Sequence, residues 1–136
     1  MALLVLAAGC AQTRGEPAEI FEAQLTGAQE VPAVASAGSG QAEVEFVPST
    51  AMVRWRISHA GLSGPVTGGH IHGPAGPGQN APIVIPFGSL GANPIRGEAR
   101  ITPEQLGQLN SGQWYVNLHT ARHPGGEIRG QLRPNR

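Results

Sequence analysis

The chain contains no lysine and no aspartate: its nine positive side chains are all arginine and its nine acids are all glutamate. Without aspartate there is no Ser-His-Asp triad, no aspartic dyad, no EF-hand loop and no aspartate-held magnesium for phosphoryl transfer. Without lysine there is neither a Walker-type phosphate loop nor Schiff-base chemistry. Charge is scarce altogether, at 13% of 136 residues, and sums to zero. Nucleic acid and anionic lipid both need a basic patch, so neither is expected as a partner. Cys10 is the single cysteine, which leaves no disulfide within the chain and puts the burden of stability on a packed core. The length suits one domain and is too short for two.

What little apolar run exists lies at the start. Met1 to Gly9 is rich in Ala, Leu and Val and ends in Ala7-Ala8-Gly9 directly before Cys10. This resembles the end of a bacterial lipoprotein signal peptide, in which the cysteine becomes the lipidated first residue. It departs from that pattern in having no Lys or Arg before a rather short run. The polar stretch Gln12 to Pro17 suits a tether. Residues 1–19 are thus expected to be a signal- or lipobox-like segment with a polar linker, and residues 20–136 the folded domain. The expected location is outside the cytoplasm: periplasmic, extracellular, or held at the cell envelope by lipid on Cys10, which would be the only tie to a membrane.

From Ile20 onward the pattern is one of short alternating runs broken by Gly and Pro. Phe21, Ala23 and Leu25 alternate with Glu22 and Gln24; Ala42, Val44 and Phe46 alternate with Glu43 and Glu45; Val53, Trp55 and Ile57 alternate with Arg54 and Arg56. Each reads as a half-buried strand. Ile83-Val84-Ile85 has the look of a buried strand, and Ile95 to Ile101 of another with Gly97 as a candidate bulge. Thr102-Pro103-Glu104-Gln105 carries an N-cap, a proline at the first helical position and a capping box, so a helix of about two turns is predicted up to Gly112. Trp114, Val116 and Leu118 then make the core face of a strand whose other face carries Tyr115, Asn117 and His119, and a last strand spans Glu127 to Leu132. Arg96 to Arg100 and Arg129 to Arg133 share an R-G-x-x-R pattern that could mark two equivalent strands. About seven or eight short strands with one short helix predict an all-β fold, an antiparallel, Greek-key-like β-sandwich.

The histidines are not scattered. His70 and His72 flank Ile71 between glycines, and on a strand, with its side-chain period of two, both rings share one face while Ile71 points into the core. His119 and His123 form a second motif beside Pro124-Gly125-Gly126. If both motifs meet at the same edge of the sandwich, four imidazoles converge on one ion. The blander alternative is that His70 and His72 bond loop carbonyls and that His119 pairs with Thr120 or Glu127. Asn117 and Glu127 are candidates to orient a ligand's second nitrogen, and Arg122 to attract an anion. His59 follows the parity of Val53, Trp55 and Ile57 and is read either as structural or as a residue that backs a ligand without binding the ion. An all-imidazole set suits Cu(II), with zinc as the alternative; calcium and magnesium want oxygen.

The motifs around these histidines resemble a known family. Gly69-His70-Ile71-His72-Gly73-Pro74 resembles the first signature of the chordin-type (CHRD) domain. Trp114 to Thr120, running into Gly126 to Leu132, resembles its closing signature, and Leu25 to Pro32 agrees with its opening. The resemblance implies a secreted β domain, found in bacterial exported proteins and in an animal extracellular antagonist of growth-factor signalling. Three functions follow as expectations. The first is an exported copper-binding protein that handles the ion at His70, His72, His119 and His123 without turnover. The second is a copper-only, superoxide dismutase-like oxidoreductase. His-x-His on a β-sandwich resembles the copper–zinc enzymes, but their zinc uses an aspartate that is missing here. The third is an extracellular module that recognises a protein or glycan, with structural histidines. Hydrolysis at a three-histidine zinc is a weaker fourth, with Glu98, Glu104 and Glu127 as bases by type only.

Overall fold

Alternation sets the first half of the fold. In the computed structural model, which describes residues 17–135, Phe21, Ala23 and Leu25 are buried on β1 (Glu19–Thr26). So are Ala42, Val44 and Phe46 on β2 (Ser39–Val47), and Val53, Trp55 and Ile57 on β3 (Met52–Ala60). These three strands form an antiparallel meander. The chain continues through β4 (Val66–His72), β5 (Ile83–Pro86), β6 (Ile95–Arg100), the helix α1 (Pro103–Asn110), β7 (Tyr115–Thr120), β8 (Ile128–Gln131) and a short β9 (Arg133–Pro134). The segment carrying Cys10 lies outside the described residues.

Every strand pairing is antiparallel, as the alternating pattern predicted. Eight strands follow one hydrogen-bonded path, β5-β4-β7-β8-β1-β2-β3-β6, with β9 beside β1. The two layers of the expected sandwich are therefore halves of a single sheet that curls until it nearly closes, barrel-like, around the core. Trp55 from β3 and Phe87 just beyond β5 meet inside it, with ring centroids 5.2 Å apart. Full pairing on both sides of an inner strand hides backbone groups that an open sheet would expose.

Three local expectations change. Gly97 is no bulge: the β3–β6 register runs unbroken, and a Cβ there would collide with the Trp55 indole lying across it. The register breaks instead at Ile71/His72 and Val66/Gly68 on β4. Ile83 is half exposed because β5 is an edge strand, not an interior one. The two R-G-x-x-R stretches are not equivalent, since β6 is the other edge while β8 lies between β7 and β1. The helix forms as its sequence dictates: Gln105 N donates to Thr102 Oγ1 at 3.1 Å and Thr102 N donates to Gln105 Oε1 at 2.9 Å, the reciprocal capping box. Leu109 anchors it in the core.

Glu127 ties the loops together. It is 1% exposed, and its carboxylate accepts from Ser36 Oγ at 2.8 Å, Thr120 Oγ1 at 2.8 Å, Ser63 N at 3.1 Å and Ser63 Oγ. Those donors come from the β1–β2 loop, the β3–β4 loop and β7. Burial alone would raise its pKa, but the hydrogen bonds from Ser63, Ser36 and Thr120 outweigh it and hold the carboxyl at about 2, against an ordinary 4.5. A depressed acid stabilises the fold above its unfolded pKa and loses that contribution as pH falls through the folded one. The Glu127→Gln variant is expected to be less stable at pH 7 by about 1–3 kcal/mol in urea titration, with the gap to wild type closing between pH 4.5 and 2. Thr102→Ala, which removes the cap, should cost about 1 kcal/mol by the same measurement and leave the β signal unchanged.

Candidate metal centre

The site grows out of the pairing of β4 with β7. Ile71 is fully buried, so His70 and His72 on either side of it turn to the outer face of the sheet. On β7 the buried Val116 and Leu118 likewise send Asn117 and His119 outward. The register puts His70 opposite Asn117, His72 opposite Tyr115 and Gly68 opposite His119. Because Gly68 carries no side chain, the His119 ring has room beside β4; a Cβ there would already touch both the His119 ring and His70 at 3.6 Å. His70 and His119 meet edge to face with centroids 4.9 Å apart, and His70 and His72 do the same at 5.3 Å.

The ring nitrogens converge. One donor atom from each of His70, His72 and His119 lies within 4.8 Å of the others, the group among the described residues that could hold a metal. His70 Nδ1 and His119 Nε2 are 3.1 Å apart. Two nitrogens at that separation, each about 2.0–2.1 Å from a zinc- or copper-sized ion, subtend ~100° at it, a comfortable ligand angle. The outer nitrogens fix the tautomers. His72 Nδ1 donates to the Ala81 carbonyl at 2.9 Å and His119 Nδ1 donates to the Pro124 carbonyl at 2.8 Å. A carbonyl only accepts, so both protons sit on Nδ1 and both Nε2 lone pairs point inward.

Asn117 stands at the centre of this arrangement. Its Oδ1 is 2.9 Å from His72 Nε2 and 3.1 Å from His119 Nε2. Behind it the outer face of β7 is closed over rather than open to water: Tyr115 and Asn117 are both buried. The covering element is the β4–β5 loop, strapped down by Arg129, whose Nη1 donates to Asn80 Oδ1 at 3.1 Å and whose Nη2 donates to the Gln79 carbonyl at 2.7 Å. Gln131 Nε2 donates to the Ala75 carbonyl at 2.7 Å, and Ala81 N donates to the Tyr115 hydroxyl at 2.9 Å. The Arg129 guanidinium lies 3.5 Å from the centroid of the Tyr115 ring, and His72 stacks on the same ring at 4.9 Å. β4 and β8 pair along the two edges of β7, so its outer face is left for this loop to cover. Burial holds His70 and His72 below the ordinary imidazole range of 6.5, the neighbouring rings adding to the effect at His70. Both stay neutral, and able to ligate, further into acid than free histidine.

The structure brings together three of the four histidines that the spacing proposed. His123 lies outside the cluster. The turn that follows β7 is closed by His123 N donating to Thr120 O at 3.1 Å and Gly126 N donating to His123 O at 3.0 Å, and what this turn delivers to the site is the Pro124 carbonyl. The motifs meet on the outer face of two adjacent strands, not at a sandwich rim. Asn117 faces the imidazoles, but it meets the inward Nε2 atoms of His72 and His119, and their second nitrogens go to the carbonyls of Ala81 and Pro124 instead. Glu127 does not orient a ligand nitrogen; it is committed to Ser36, Ser63 and Thr120. Arg122 is exposed in the turn. His59 is anchored at the end of β3, with Asn93 bonding its backbone on both sides. Among the candidate bases, Glu98 pairs with Arg54 at 3.2 Å on the far edge of the sheet and Glu104 occupies the first turn of α1.

Sequence reading missed Tyr115, Arg129 and Glu30 as parts of this neighbourhood. A charged residue in the last strand, between Ile128 and Leu132, and an acid in the opening stretch Leu25 to Pro32 were the available signals. Glu30 is 6% exposed, and its Oε1 has no hydrogen-bond partner.

No curated protein and no solved structure matches the chain. A family model does: the CHRD domain, over residues 21–132, from the first core residue of β1 to the end of the last core strand. The chain belongs to the CHRD domain family, and within that β domain it carries a three-histidine cluster able to hold a metal ion.

Proposed function

We propose that this protein is an exported metal-binding protein that takes up a divalent ion, Cu(II) by preference, at His70, His72 and His119. One observation carries the reading: two imidazole lone pairs, fixed inward by backbone carbonyls, converge with His70 Nδ1 and the Asn117 amide oxygen. While His70 Nδ1 reaches His119 Nε2 at 3.1 Å, the acceptors His72 Nε2 and Asn117 Oδ1 have no proton between them. Acceptors crowded together repel, and a cation among them turns that repulsion into ligation. Protonating the rings instead would need an imidazolium cluster, which burial of His70 and His72 opposes. With three nitrogens and no thiolate, affinity follows the order that puts Cu(II) above Zn(II). The cluster is only half-buried, which suits uptake and release from solution. Export is supported by the apolar run ending at Cys10 and by the polar linker after it.

The His70→Ala/His72→Ala double variant should lose Cu(II) affinity by about 100-fold or more while its circular dichroism stays that of the wild type. His123→Ala should bind as wild type does. Calorimetric titration of untagged protein reads both. Unchanged affinity in the double variant would remove the cluster from consideration. Because protons compete for the same lone pairs, affinity should fall as the solution is acidified, with the loss setting in below the range of free imidazole, at 6.5, since burial depresses His70 and His72. Electron paramagnetic resonance of the Cu(II) form across pH checks it.

A further inference from the structure

Away from the histidines, the outer face of β1, β2, β3 and β6 carries its charges in blocks. Core residues on either side send Glu22, Glu43, Arg56 and Arg96 outward, and all four are exposed. The register makes them one row across four neighbouring strands: Glu22 lies opposite Glu43, Glu43 opposite Arg56, and Arg56 opposite Arg96. The order across the sheet is therefore acid, acid, arginine, arginine. Like charges directly opposite each other destabilise an antiparallel pair, and this row holds two such pairs. A face that satisfied itself would alternate. Instead, among the described residues, there is one ion pair, Arg54 with Glu98 in the next row.

A row in that order fits its own reverse. Let a second copy lie face to face with the first, related to it by a two-fold axis that runs between β2 and β3 and parallel to them. Each β2 residue then lies over the β3 residue of its own row in the other copy. Glu43 meets Arg56, Glu45 meets Arg54, Gln41 meets Ser58, and partly buried Val47 meets partly buried Met52. At the margin, Glu22 on β1 comes over Arg96 on β6. The face is dented there: a depression of about 280 Å³ opens between Glu22, Gln24, Gln41, Glu43, Arg56 and Ser58. Arg96 of the second copy arrives where this hollow presents its two carboxylates. We propose that this face is the interface of a two-fold homodimer, in which Glu43 of each copy pairs with Arg56 of the other and Glu22 with Arg96.

Charge sets the character of this association. The face is narrow, since four strands span about 15 Å. Two twisted sheets packed face to face also cross at about 30°, which confines close contact to β2 and β3. Exposed ion pairs contribute little apiece and are screened by salt. The dimer is therefore weak, oriented by complementary charge, and favoured by low ionic strength. The imidazoles lie outside the interface, because β8 and β1 separate β7 from β2 in the sheet. The dimer goes beyond the metal-binding reading and does not depend on it.

Sedimentation equilibrium of the metal-free chain tests this, with a chelator present and a thiol reductant to keep Cys10 from linking copies. Wild type should show a monomer–dimer equilibrium at about 20 mM salt that shifts to monomer at about 0.5 M. Glu43→Arg sets like charge over Arg56, and Arg56→Glu sets it over Glu43, each twice per dimer. Either variant alone should therefore raise the dimer Kd by about tenfold or more, with its circular dichroism unchanged. Mixing the two variants in equal amounts should restore the dimer, because both central pairs are then opposite in charge. A wild type that stays monomeric at low salt would overturn the proposal. So would single variants that associate as wild type does, or a mixture that remains monomeric.

Discussion

Antiparallel pairing between β4 and β7 is the constraint on which the site depends. It takes His70 and His119, 49 positions apart, and fixes their ring nitrogens 3.1 Å from each other. No loop has to find its place for this to happen. The apolar residues do the positioning: Ile71, Val116 and Leu118 must enter the core, and a strand's period of two then forces His70, His72, Asn117 and His119 to the opposite face. Slipping either strand by one residue would bury imidazoles and expose isoleucine and leucine, so the burial that stabilises the fold also holds the ligand geometry. A site on paired strands inherits the rigidity of the sheet, which is what preorganisation for an ion requires.

The second structural demand follows from the first. A polar face turned outward on a sheet would ordinarily be left to water, yet here Tyr115, Asn117 and Arg129 are all buried. The β4–β5 loop covers them, and it stays down because Arg129 and Gln131 satisfy its carbonyls: Gln79 and Gly76 for the first, Ala75 for the second. That strapping brings the Ala81 carbonyl to His72 Nδ1. On the other side the β7–β8 turn brings the Pro124 carbonyl to His119 Nδ1. Backbone carbonyls thus set both tautomers, and they do so without a single carboxylate, in keeping with a chain that has no aspartate.

Most of the fold was legible because it was written in local alternation. β1, β2, β3 and the core stripe of β7 show their period of two directly, and α1 announces itself through Thr102, Pro103 and Gln105. The His-x-His face was legible for the same reason. What escaped was everything that depends on which strand lies beside which. Ile83 looks like a core residue until β5 turns out to be an edge. Gly97 looks like a bulge until Trp55 crosses from the neighbouring strand. His123 looks like a fourth ligand, but a turn of this length closes on its own backbone and presents Pro124's carbonyl instead. The carbonyl ligands of the imidazoles' outer nitrogens have no sequence signature at all, since every residue has a carbonyl.

Two glutamates show how environment divides one chemistry into two roles. Both are almost wholly buried, and burial pushes both toward the neutral acid. Glu127 meets three hydroxyls and an amide N–H that have no other obligation to a charge, so it stays ionised to about pH 2 and serves as a fixed anchor for three segments of chain. Glu30 faces an arginine already committed to the carbonyls of Gly76 and Gln79 and an asparagine already committed to the imidazoles, so its proton is held until about pH 7. The first contributes stability that appears as pH rises above 2, and the second costs stability as pH rises from 4.5 toward 7.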